Sequence, residues 1–126
     1  MCSNNKGFSL IELMIALLIL SVGLLSLASL QGTAIKGNRH GNQISQATTL
    51  AEDRIEEIRN TDFDDVDNVA FPTPENNLST SGVYTRTTVI EDDVPMLELK
   101  RITVTVSWSD GRSHDIVLRT IISNEG

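Results

Sequence analysis

The pattern along the chain opens with an apolar run from Phe8 to Leu30 that carries a single charge, Glu12. At about 1.5 Å of rise per residue the run makes roughly 34 Å of helix, enough to cross a hydrocarbon core. From Gln31 to Asn42 the chain turns polar and holds Gly32, Gly37 and Gly41. Together these cost a helix about 3 kcal/mol relative to alanine, so this stretch is predicted as its weakest part. Ile44, Ala47, Ala51, Ile55 and Ile58 then recur at three- and four-residue intervals with Leu50 beside them. Glu52, Asp53, Glu56, Glu57 and Arg59 lie on the other face. That period predicts an amphipathic helix over about 43–60 with one packed stripe and one wet one.

Asp62 to Ser81 has the composition of a loop, with acidic residues, Pro72, Pro74, asparagines and serines. Phe63, Val66 and Phe71 are expected to tuck back against the core. Val83 to Ile90, rich in threonine, valine and tyrosine, suits a pleated surface. Leu99 to Trp108 alternates strictly, with Ile102, Val104, Val106 and Trp108 on one face and Thr103, Thr105 and Ser107 on the other. Glu91 to Pro95 between them reads as a loop, because proline cannot serve a central ladder. Asp110-Gly111 predicts a two-residue hairpin turn. The last strand, His114 to Ile122, sets Ile116, Leu118, Thr120 and Ile122 on one face and Val117 and Ile121 on the other, so it can be covered on both sides. A three-stranded antiparallel meander over 82–123 with one apolar face needs a cover, and the Ile44–Ile58 stripe is the helical surface available. The expected fold is α+β, with the second half of a long helix packed across a small sheet.

Composition narrows the function. The chain has 126 residues and a net charge of −7. A length of this order makes one domain. An acidic chain of this kind lacks the clustered Lys and Arg of a phosphate-binding surface, so no nucleic-acid partner is expected. Cys2 is the single cysteine, and no apolar segment precedes it as in an acylated lipoprotein. Asp62-Phe63-Asp64-Asp65-Val66-Asp67 invites a calcium reading, but lacks the central glycine and closing glutamate of an EF-hand loop. His40 and His114 stand in a polar linker and just after a turn, with no spacing that suggests a metal pair or a nucleophile–base couple. The expectation is no enzyme, no metal and no cofactor.

Glu12 is the residue that needs a reason. A carboxylate near the middle of a membrane costs about 2.5–3.5 kcal/mol on insertion scales, and less near one end. Lys6-Gly7-Phe8-Ser9-Leu10-Ile11-Glu12, with the apolar run behind it, resembles the class III signal of the type IV prepilins and pseudopilins. The resemblance implies a leader over 1–7 and a membrane or filament-core helix over 8–30. It also implies a periplasmic or extracellular pilin domain over 31–126, of the type IV pilin fold. A prepilin peptidase/methyltransferase would cut between Gly7 and Phe8 and N-methylate Phe8. Glu12 would neutralise the amine of a neighbouring subunit during assembly. Losing Lys6 with the leader takes the side-chain charge from −7 to −8. Losing Cys2 leaves no disulfide, a departure from the many pilins that staple a C-terminal loop.

Within that family, Leu17 to Leu25 with Leu30-Gln31, Gln46 to Glu52, and Val104 to Trp108 resemble the PilV-type minor pilins, the type IV pilus modification group. Where major pilins commonly carry a helix-kinking proline, this chain has Ser29. The resemblance implies a minor pilin that primes or modifies the pilus and supports adhesion and twitching motility. Its partners would be other minor and major pilins, the inner membrane and the pilus assembly platform. It would span the inner membrane once before assembly and lie in the pilus, periplasm or cell surface afterwards. Two alternatives stand beside it. One is a minor pseudopilin of a type II secretion system; the other is a single-span membrane protein with a small adhesive ectodomain.

Overall fold

The computed structural model describes residues 6–79 and 83–124. Cys2, most of the expected leader and the end of the expected loop at Ser81 lie outside the described residues. A long α-helix, α1, runs from Leu10 to Arg59, and a short 3-10 turn follows at Phe63–Asp65. The expected weak segment is therefore helical too, and the amphipathic stretch is the end of a longer helix. Gly32, Gly37 and Gly41 each cost about 1 kcal/mol, but no proline interrupts the run and every glycine still serves the backbone ladder. The described residues up to Gly41 and those from Asn42 onward form two compact units.

The second unit is built on an antiparallel sheet of four strands in chain order. They are β1 (Glu75–Leu78), β2 (Tyr84–Asp92), β3 (Leu99–Ser109) and β4 (Ser113–Ser123). Three strands are expected from the sequence, and β1 is the addition, inside the predicted loop. Its Glu-Asn-Asn-Leu carries no β-branched or aromatic residue, so local preference gives no sign of it. It forms because Glu75 and Leu78 find Arg86 and Tyr84 on β2, across a register shift. The turn after β3 also differs. Ser109 pairs with Ser113, which leaves a three-residue loop, and Gly111 takes φ +103° there. The left-handed backbone that selects glycine is thus present, one residue further out than a two-residue turn.

The core forms where α1 meets one face of the sheet. Ala47, Ala51 and Ile58 are fully buried, as are Ile102, Val104 and Val106, and Trp108 closes the end of the cluster with Tyr84. The tyrosine and tryptophan rings lie 5.8 Å apart and tilted at 46°, within the range where edge and face attract. Val66 and Phe71 tuck in as expected, while Phe63 lies beneath Lys100, whose Nζ is 4.8 Å from the ring centroid. Ile44, expected on the packed stripe, is 39% exposed. Val117 and Ile121 are exposed as well, so the outer face of β4 carries no cover within the described chain.

Arg54 takes a place on the buried stripe that the apolar pattern does not reserve for it. It is 4% exposed and pairs with Glu75 of β1 and, at 3.2 Å, with Glu57. Its guanidinium lies 5.3 Å from the centre of the Phe71 ring. Arg86 of β2 grips the same Glu75 through Nε at 2.7 Å and Nη2 at 3.1 Å, and donates to the Leu50 carbonyl at 2.8 Å. One carboxylate thereby ties the helix, β1 and β2 together. The hydrogen bond from Arg86 is the main cause that holds the Glu75 carboxyl below its ordinary value. Burial opposes it and Arg54 adds to it.

Candidate processing and assembly segment

The expected site residues lie where α1 begins. Residues 6–9 have no regular structure, and the helix starts at Leu10. Its first backbone bond runs from Leu13 N–H to the Ser9 carbonyl at 3.1 Å. The Ser9 hydroxyl accepts from the Glu12 N–H at 3.2 Å. Ser9 is therefore the N-cap and Glu12 the third helical residue, the serine-x-x-glutamate spacing of a capping box. This role of Ser9 was readable in the spacing and was not singled out in the sequence. An acidic side chain in the first turn also suits the positive end of the helix dipole.

Gly7, Phe8 and Glu12 are all three exposed, with Glu12 in the first turn of α1 and the other two ahead of the helix. Phe8 is 85% exposed and sits outside the helix, and open space surrounds the position of a Cβ on Gly7. The Gly7–Phe8 bond thus lies in an exposed segment without regular structure, one residue ahead of the cap.

Behind it the helix is coated with exposed Leu, Ile, Val and Met side chains through Leu30. It is long and apolar enough to cross a membrane. Two of its serine hydroxyls bond back along the helix, Ser21 to the Leu17 carbonyl at 2.7 Å and Ser26 to Val22 at 2.8 Å, and just beyond the run Thr33 donates to the Ser29 carbonyl at 3.2 Å. Hydroxyls that bond back along their own helix remove the penalty of an unpaired polar group in hydrocarbon.

In the second unit, the acidic run is put to structural use. Oδ1 of Asp67 accepts from Val69 N–H at 2.9 Å and Ala70 N–H at 2.7 Å, capping its own turn. Lys100 reaches the Val66 carbonyl at 2.6 Å and Asp92 at 3.4 Å. Asn68 bonds to Ile90 of β2 through both its amide nitrogen and its amide oxygen, each at 3.1 Å. These bonds fasten the loop to the sheet edge. His114, expected just after the turn at the start of the last strand, stacks on Trp108 at 5.4 Å and contacts Asp110 at 3.0 Å. That contact is the leading reason the Asp110 carboxyl is held below its ordinary value.

Residues 2–28 match the family model described as the prokaryotic N-terminal methylation motif. The match spans the Lys6–Glu12 segment and most of the apolar run. No curated protein and no solved structure gives a significant match.

Proposed function

We propose, for a chain that carries the N-terminal methylation motif of the type IV prepilins and pseudopilins, that it is a minor pilin of the PilV type. In this reading it is made as a membrane-anchored precursor, cut between Gly7 and Phe8, and methylated on the new Phe8 amine by the prepilin peptidase/methyltransferase. It then joins other minor and major pilins at the assembly platform, priming or modifying a type IV pilus. The observation that carries the reading is the motif match running directly into a helix whose large apolar side chains are exposed. Such a surface is stable only in lipid or against other helices of its kind. The α+β unit behind it, a helix end packed on a four-stranded antiparallel sheet, is pilin-like in architecture.

Glu12 is the residue assigned to assembly. Cleavage creates an amine at Phe8, and in hydrocarbon that amine and a carboxylate stabilise each other only as a pair. Removing one member of such a pair costs about 3–5 kcal/mol. Glu12→Gln keeps the shape, the hydrogen-bonding capacity and the backbone N–H that Ser9 caps, and removes only the charge. It is expected to leave cleavage and folding intact while abolishing co-purification with partner pilins and surface piliation, in cells whose own copy is deleted. Wild-type assembly by Glu12→Gln and Glu12→Ala, at matched protein levels, refutes the intersubunit pair.

A further inference from the structure

The two edges of the sheet are finished differently. β1 is four residues long, shifts register, and holds Asn77 at φ 59° with Ser79 at 75° just beyond it. Short, irregular edges of this kind resist the addition of another strand. β4 is eleven residues long and pairs with β3 without a break from Ser113 to Ser123. It contains no proline, glycine or lysine, and no strand pairs with its far side among the described residues. By the devices proteins use to protect an edge, one side is blunted and the other left open.

Register shows which backbone groups the open edge offers. At the turn Asp110 N–H donates to the Arg112 carbonyl at 3.2 Å, and past the far end Asn124 N–H donates to the Glu98 carbonyl at 3.3 Å. Both pairs fit the β3–β4 register. Even-numbered residues of β4 therefore bond to β3, and odd-numbered residues turn their N–H and C=O groups towards the open edge. The same odd-numbered residues are the exposed ones: Ser113, Asp115, Val117, Arg119, Ile121 and Ser123.

Their charges are complementary about Val117, with Asp115 two residues before it and Arg119 two residues after. In one strand those charges lie about 13 Å apart, too far to pair. Neither forms an ion pair among the described residues. We propose that β4 pairs antiparallel with β4 of a second copy of this chain, about a two-fold axis through Val117. In that register Val117 faces Val117 of the second copy in a hydrogen-bonded pair. Asp115 faces Arg119 of the second copy, and Arg119 faces its Asp115. On the helix-facing side, Ile116 meets Leu118 of the second copy. Shifting the register by two residues sets charges against apolar side chains, and shifting it by four sets Asp115 or Arg119 against itself. Opposite charges directly across a sheet stabilise and like charges destabilise, so the pattern selects one isologous register.

Full-length protein in detergent, with Cys2 replaced by serine, provides the test. Val117→Cys should form a disulfide-linked dimer on mild oxidation, because Cα atoms of a hydrogen-bonded pair are about 5.5 Å apart, within disulfide reach. Ile121→Cys should not, since the two cysteines would stand about 27 Å apart in this register. In the Val117→Cys background, Asp115→Arg or Arg119→Asp alone should reduce the cross-linked fraction roughly fivefold, and the two together should restore it. Because both side chains are exposed, the single changes leave the fold intact. Equal cross-linking by Val117→Cys and Ile121→Cys overturns the proposal, as does a dimer that forms only through the apolar helix. So does a double charge swap that fails to recover what each single change loses.

Discussion

Trp108→Ala is expected to lower the stability of the sheet-bearing unit by about 3–5 kcal/mol, the usual cost of emptying a large aromatic site. For a unit of this size that amounts to a fall in melting temperature of more than about 10 °C. Trp108 is 4% exposed, shares its face with Ile102, Val104 and Val106, and is flanked by the Tyr84 and His114 rings. Its loss would open a cavity bounded by rigid sheet on one side and rings on two others, so little can collapse inward. The indole Nε1 has no hydrogen-bond partner among the described residues, so Trp108→Phe forfeits no bond and should cost much less. Circular dichroism melts of the full-length protein in detergent read both changes. An unchanged melting temperature for Trp108→Ala contradicts the core described above.

Glu75→Ala should be nearly as damaging, at about 3 kcal/mol, because it leaves the buried Arg54 guanidinium without its main counter-charge. The partial exposure of Glu75, at 28%, and the remaining Glu57 contact keep the loss at the lower end of that range. The same pair makes stability depend on pH. Arg86 and Arg54 hold the Glu75 carboxyl below its ordinary value. Its contribution is therefore complete above that ordinary carboxylate value and is lost as pH falls through the lower folded one. Glu75→Gln should be less stable than wild type at neutral pH, and the gap between them should narrow in acid. A constant gap from pH 7 to pH 3 rules out the carboxylate as its source.

How much of this was legible depends on whether neighbours in sequence or neighbours in space decide a position. The apolar run is marked by its unbroken length, while the stripe at Ala47, Ala51 and Ile58 and the alternation from Ile102 to Trp108 are periodic, and period alone fixes the faces they bury. β1 was not legible, because Glu75 and Leu78 become strand residues only through partners on β2. Arg54 was hidden for the same reason. A charge inside an apolar stripe becomes intelligible once Glu75 is seen beside it. The hairpin missed by one residue, because Asp-Gly marks a left-handed position without fixing the length of the loop around it. At the N-terminal segment the reverse holds. The expectation for Gly7, Phe8 and Glu12 rests on a linear motif, and the structure adds the Ser9 cap that starts the helix between the expected cleavage point and the carboxylate.

The most direct test of the proposed function is the N-terminus of the protein recovered from the membranes of cells that contain prepilin peptidase, read by intact and tandem mass spectrometry. The expected chain begins at Phe8 and carries one methyl group on the Phe8 amine, whereas Gly7→Val, whose branched side chain blocks access of the scissile bond to the peptidase site, accumulates as the uncut precursor. A wild-type chain that keeps Met1 to Gly7, is cut elsewhere, or yields the same Phe8 terminus from Gly7→Val contradicts the assignment.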